Sequence, residues 1–202
     1  MSIEFKGCTK KFKEKTILSN VNFTIQKGLY HLKGRNGAGK STVLRMIAGL
    51  DKKYLGQIAV SGNSILYLNV DPIGIRPFTI RENLEILWNT FNIKLSEEQL
   101  SKVDEFFDGN LDISYSKAST GMKAKIGLSL ILVKDWEVIL IDEAMSTIDS
   151  ESIKILSERL ITLSNKVTII YVSHSMINKE LIDNSRAIYI EKGELSWENI
   201  QS

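Results

Sequence analysis

Apolar and polar residues alternate over residues 2–6, where Ile3 and Phe5 are the apolar positions. They alternate again over 16–26, through Ile17, Val21, Phe23 and Ile25. A period of two predicts half-buried strands, and the lysine-rich stretch between them predicts an antiparallel pair joined by a turn. Gly28-Leu29-Tyr30-His31-Leu32 predicts a short strand, and residues 41–48 a helix with Val43, Leu44, Ile47 and Ala48 on one face. Residues 56–60 and 64–68, either side of Gly62-Asn63, read as a hairpin or strand pair. Both prolines, Pro72 and Pro77, fall within 69–78, which marks that segment as a non-repetitive loop.

Beyond it the period lengthens. Thr79 followed three residues later by Glu82 is a capping-box signature ahead of Leu84, Ile86, Leu87 and Phe91. Ser96 and Gln99 repeat the signature for a helix to about Phe107, and Ser119 opens an apolar helix to about Val133. Val138–Ile141 is a continuous apolar run, the pattern of a strand buried on both faces. A helix over 150–163, a strand over 167–172 and a terminal hairpin around Lys192-Gly193 complete the reading. The expected organisation is one domain over 1–202, with a core of about 1–68 and 134–202 and a helical insertion of about 79–133.

Composition narrows the function classes. At 202 residues the chain has room for one sizeable core. A net charge of +2 implies no broad nucleic-acid footprint, and no nucleic-acid partner is expected. Lys6, Lys10, Lys11, Lys13 and Lys15 make a locally basic stretch, read as a solvated hairpin face. The single cysteine, Cys8, excludes an intrachain disulfide and suits a reducing cytoplasm. The first residues carry no apolar signal segment, and the longest apolar runs fall far short of the roughly 20 residues that span a bilayer. A role at a membrane would therefore run through a partner.

The candidate chemistry begins at Gly34–Thr42, whose G-x4-G-K-S spacing is the phosphate-binding loop pattern. Gly34, Gly37 and Gly39 allow backbone angles closed to other residues and let N–H groups turn onto an anion. Lys40 brings a compact positive charge to β- and γ-phosphate oxygens, and Ser41 offers a hydroxyl to Mg2+. Arg35, Asn36 and Ala38 fill the variable positions, and Thr42 follows. The loop lies between a predicted strand and a predicted helix, which points a helix N-terminus at phosphate. Further on, the apolar strand at 138–141 ends in Asp142-Glu143. Asp142 can hold Mg2+ beside Ser41, and Glu143 can poise a water as general base.

With these pieces in this order, the chain resembles the nucleotide-binding subunit of an ATP-binding cassette (ABC) transporter over nearly its whole length. Ser146-Thr147-Ile148-Asp149 is similar to that family's D-loop, with Asp149 its acid, and His174 in Tyr171-Val172-Ser173-His174 resembles its switch histidine. Ser119-Thr120-Gly121-Met122-Lys123 resembles the signature segment, and Phe12 falls where the family places an aromatic on adenine, although packing would serve as well there. The resemblance implies an α/β fold: a P-loop NTPase core with a mostly parallel sheet, an N-terminal antiparallel β-subdomain and a small helical subdomain. It implies ATP and Mg2+ as cofactors, and a head-to-tail dimer with itself or a paralogue in which Ser119, Thr120, Gly121 and Met122 complete the other copy's ATP site. It also implies a separate transmembrane permease subunit and a place at the cytoplasmic face of the cell membrane.

The sequence departs from the family pattern at several positions. A glutamine that contacts Mg2+ and water is expected at 70, where Val70 stands; Asn69 takes that place if the register slips by one. The signature carries Ala118, Thr120 and Met122 in place of the usual residues. The readings that follow are an export-type transport ATPase, resembling short bacterial cassettes for peptides or antibiotics, a weakly hydrolysing half of an asymmetric pair, or a non-transport ABC ATPase.

Overall fold

Five consecutive residues of one strand, Val138 to Asp142, are buried, and so are all five from Thr168 to Val172. Strands without a solvent face need cover on both sides, and the architecture supplies it. The computed structural model describes residues 1–13, 15–173 and 178–197. In chain order its elements are β1 (Ser2–Phe12), β2 (Lys15–Gln26), β3 (Gly28–Lys33), α1 (Lys40–Ile47), β4 (Leu55–Val60), β5 (Ile65–Leu68), α2 (Ile80–Thr90), α3 (Glu97–Phe106), α4 (Thr120–Leu128), α5 (Leu130–Val133), β6 (Val138–Asp142), α6 (Ser150–Leu163), β7 (Thr168–Val172), α7 (Lys179–Asp183), β8 (Arg186–Glu191) and β9 (Glu194–Ser196).

Two sheets result. A three-stranded antiparallel sheet runs β2-β1-β4, and a six-stranded sheet runs β5-β6-β7-β3-β8-β9, parallel except for the terminal β8–β9 pair. The strand period of two divides the larger sheet between two cores. Val138, Leu140, Ile170 and Val172 face a cluster shared with α1 and the antiparallel sheet. Ile139, Ile141, Ile169 and Tyr171 face a cluster shared with α2 to α6. Each buried Val, Leu or Ile contributes about 1.5–3 kcal/mol, so this alternation is what fixes the register of β6 and β7.

Several expectations are corrected. Residues 56–68 are not a hairpin: β4 pairs antiparallel with β1, while β5 joins the other sheet parallel to β6. The Gly62-Asn63 signal marks a crossing between sheets, where the Glu137 carboxylate accepts from the backbone N–H groups of Asn63 and Ser64 at 2.5 and 2.9 Å. The lysine-rich turn is not wholly solvated. Lys10 is buried, donating to Asp51 at 2.7 Å and to the Lys53 carbonyl at 2.8 Å. That hydrogen bond, with the nearby charges, holds the Asp51 carboxyl below its usual range. The helix from Ser119 breaks at Ser129, whose hydroxyl donates to the Ile126 carbonyl at 2.7 Å, separating α4 from α5. The short helix α7, capped by Asn178, adds to the predicted elements.

Both capping boxes form as the sequence indicates, at Thr79–Glu82 and Ser96–Gln99. The loop at 69–78 is pinned to α2 by buried Asn83. Its amide donates to the Ile75 and Thr79 carbonyls at 3.2 and 2.8 Å, and its Oδ1 accepts from the Ile75 N–H at 2.6 Å.

Candidate phosphate and metal site

β3 ends at Lys33 and α1 begins at Lys40, so the glycine loop sits at the carboxyl end of a central parallel strand. β6 ends two strands away at Asp142, with β7 between. Ligands bind at such carboxyl-end crevices because adjacent loops diverge there. Gly39 caps α1 with φ 110°, and a side chain on it would put a Cβ 2.3 Å from Ile17 Cγ2. Only glycine fits, so the antiparallel sheet fixes where the helix starts.

The Lys40 ammonium, nearly buried, spans the loop by donating to the Gly34 and Arg35 carbonyls at 2.9 and 3.2 Å. Burial lowers its pKa, while the charges of Glu143 and then Asp142 oppose that shift. Next to it, Ser41 Oγ donates to Asp142 Oδ1 at 2.9 Å, and Tyr67 OH donates to Asp142 Oδ2 at 3.0 Å. Glu143, just past the strand, has φ 60°, a conformation costly for a side chain larger than glycine. Its N–H donates to the Val172 carbonyl at 3.2 Å, and its carbonyl accepts from the Ser146 N–H at 3.0 Å. The backbone turn is therefore held from both sides, and it turns Glu143 out of the strand into the cleft. That cleft, with room for about 490 Å³, is lined by Phe12, Ile17, Gly39, Lys40, Ser41 and Glu143, with Asn36, Gly37 and Thr42 along the loop. Its volume lies in the range of small-ligand pockets.

Two residues of this site carry no sequence signal for it. Lys15, which the pattern places on a basic face, lines the same cleft and donates to the Gly37 carbonyl at 2.6 Å. It pairs across the hairpin with Phe12, whose half-exposed ring has Lys10 Nζ 4.5 Å from its centroid. Tyr67 reads as a strand residue, and nothing in its sequence surroundings signals a bond to Asp142. Arg35 and Ala38 face a neighbouring groove together with Lys33, Tyr189 and Lys192.

Ser41 and Asp142 provide hard oxygen donors side by side, the donor chemistry that Mg2+ takes. Among the described residues no group of three or more His, Cys, Asp and Glu could hold a metal ion. The pair fits an ion that takes hard oxygen donors, as Mg2+ does.

The signature-like residues lie elsewhere on the surface. Ser119 caps α4, its hydroxyl accepting from the Met122 N–H at 3.1 Å; Ser119 and Thr120 are exposed, and none of Ser119, Thr120, Gly121 and Met122 lines the cleft. Gly121 lies against the 146–149 turn, where a Cβ would stand 2.7 Å from the Thr147 carbonyl oxygen. Asp149 caps α6 by accepting from the Ser152 N–H at 2.9 Å and meets buried Lys125 of α4 at 2.7 Å. Burial would raise its carboxyl, but hydrogen bonds from Lys125 and Ser152 pull it well below the usual range. Val70 is exposed, and the Asn69 amide donates to Asp71 at 2.7 Å. His174 lies outside the described residues.

A family model described as ABC transporter matches residues 18–146. The Nod factor export ATP-binding protein I of Burkholderia lata is 30% identical over 95% of this chain and 68% of its own length. The ribose import ATP-binding protein RbsA of Bacillus subtilis is 32% identical over 87% of this chain and 40% of its own. The chain thus spans about two thirds or less of these relatives. A solved structure described as the ATP binding subunit of an ABC transporter superposes with a TM-score of 0.78, covering 96% of this chain and 88% of that one at 23% identity, which shows a common fold.

Proposed function

We propose that this chain, which belongs to the ABC transporter family, is the ATP-binding and ATP-hydrolysing subunit of a membrane exporter for a peptide, an antibiotic or another small solute. ATP-binding subunits of this family are ATPases that bind ATP with Mg2+, dimerise and pair with membrane permease subunits. The observation that carries the reading is the meeting of Ser41 Oγ and Asp142 Oδ1 at 2.9 Å in a cleft that also holds Lys40 and Glu143. In it, the Gly34–Gly39 backbone and Lys40 hold the phosphates, and Ser41 and Asp142 hold the metal ion. Glu143 accepts the proton of the attacking water. The bound Mg2+ supplies charge neutralisation at the phosphates. His174 senses the γ-phosphate, and Phe12 carries the base.

No helix among the described residues is long and apolar enough to cross a membrane. Exposed Val70, Ile73, Ile75 and Phe78, all on the segment pinned by Asn83, offer an apolar surface for a permease at the cytoplasmic face. Val70, which cannot ligate a metal or hold a water, supports a lowered rate of hydrolysis.

Affinity purification of the tagged chain from native membranes tests the transport role. The expected result is co-purification of a polytopic membrane protein at near-equal amounts. Recovery of ribosomes or DNA instead would overturn it.

A further inference from the structure

The carboxylate of Asp142 is held from two directions. Ser41 donates to Oδ1 at 2.9 Å, and Tyr67 donates to Oδ2 at 3.0 Å. Tyr67 stands on β5, which is hydrogen-bonded to β6 with Tyr67 opposite Leu140, two residues before Asp142. Its ring packs in the core cluster around α1, so the hydroxyl reaches the carboxylate from a fixed base. The residues that follow β5 do not make this contact, because Asn69 is tied to Asp71 and Val70 is exposed and apolar.

We infer that Tyr67 is a positioning residue for the metal ion: its hydroxyl locks the Asp142 carboxylate so that Oδ1 faces the Ser41 hydroxyl. This rests on the reading of Ser41 and Asp142 as the metal-holding pair. With Tyr67 on Oδ2 the carboxylate keeps one orientation, and Oδ1, which Ser41 Oγ meets at 2.9 Å, would face the ion together with that hydroxyl. Loss of such a supporting partner lowers metal affinity about 10- to 100-fold in comparable sites. Tyr67→Phe removes the oxygen and leaves the ring packing in place.

Three measurements on the full chain separate the outcomes. These are Mn2+ affinity in the presence of ATP, read by electron paramagnetic resonance; ATP affinity in excess chelator, read by calorimetry; and the thermal midpoint of the unliganded chain. Tyr67→Phe is expected to weaken Mn2+ binding about 10-fold or more, with the other two unchanged. Unchanged Mn2+ affinity overturns the inference. So does a parallel fall of all three, which would make Tyr67 a packing residue. If the wild-type chain binds no ATP, the ATPase reading fails and the inference with it. If the wild type binds ATP and Mn2+ and Tyr67→Phe matches it, the inference alone fails.

Discussion

Asp149 shows how a residue chosen from a motif does more than the motif says. Its carboxylate caps α6 and pairs with Lys125, which is buried and also meets Asp108 at 3.3 Å. Thus one side chain ties the helix that begins at Ser119 to the turn that follows Glu143. Because its folded pKa is depressed, the stability it contributes is complete above the unfolded value of about 3.9 and is lost as pH falls through the folded value. Asp149→Asn keeps a good cap and removes only the charge. The expected cost is about 1 kcal/mol at pH 7, discounted because the carboxylate is half exposed. Urea unfolding at pH 7 and through the range below pH 4 checks it: the gap between wild type and variant should close in acid. A gap that persists unchanged would mean that the pairing is not electrostatic. The site residues of the phosphate loop are legible in the sequence because each needs a particular chemistry at a particular spacing. Lys15 and Tyr67 are not, because Lys15 reaches the glycine loop from the other sheet and Tyr67 meets Asp142 across a strand pairing.

At the scale of elements, the 69–78 segment is where sequence and structure inform each other most. Its boundaries follow from two prolines and the Thr79 cap, but nothing local reveals that Asn83 grips the Ile75 backbone from α2. The pairing of the strands on its N-terminal side is hidden for a related reason. A turn signal such as Gly62-Asn63 reports that the chain reverses or bends, not which edge the next strand joins, and the edge on β6 is set by the apolar faces of Leu66 and Leu68. The break at Ser129 is equally silent, because a serine in an apolar helix is tolerated until its hydroxyl bonds back to the helix carbonyls. Within this segment Val70→Gln places, at an exposed position, the polar side chain that the family resemblance leads one to expect there. Mg-ATP hydrolysis by the variant, measured at saturating ATP, is expected to rise several-fold. No rise would place the limit on turnover elsewhere, with ATP affinity as the control for intact binding.

On the whole-molecule scale, the two sets of family-like residues occupy different surfaces of one chain. Lys40, Ser41 and Glu143 share a cleft, and Ser119 and Thr120 stand exposed outside it. If the N-terminus of α4 completes such a cleft, as the family resemblance implies, it does so from another copy, and a two-fold arrangement pairs both halves at once. In the proposed function closure depends on intact ATP, and reopening on its hydrolysis. Glu143→Gln keeps the shape of the side chain and removes the proposed proton acceptor, so on the proposed function ATP should remain and the closed pair should persist. Light scattering of the Glu143→Gln chain with Mg-ATP is expected to give twice the monomer mass, and with Mg-ADP the monomer mass. Thr120→Arg in the same background places bulk and charge on the exposed helix start without touching the cleft, and should return the protein to a monomer that still binds ATP. A Glu143→Gln chain that stays monomeric with bound Mg-ATP would overturn the pairing of like copies and leave a paralogue as the second half, which mixing with that paralogue would then have to restore.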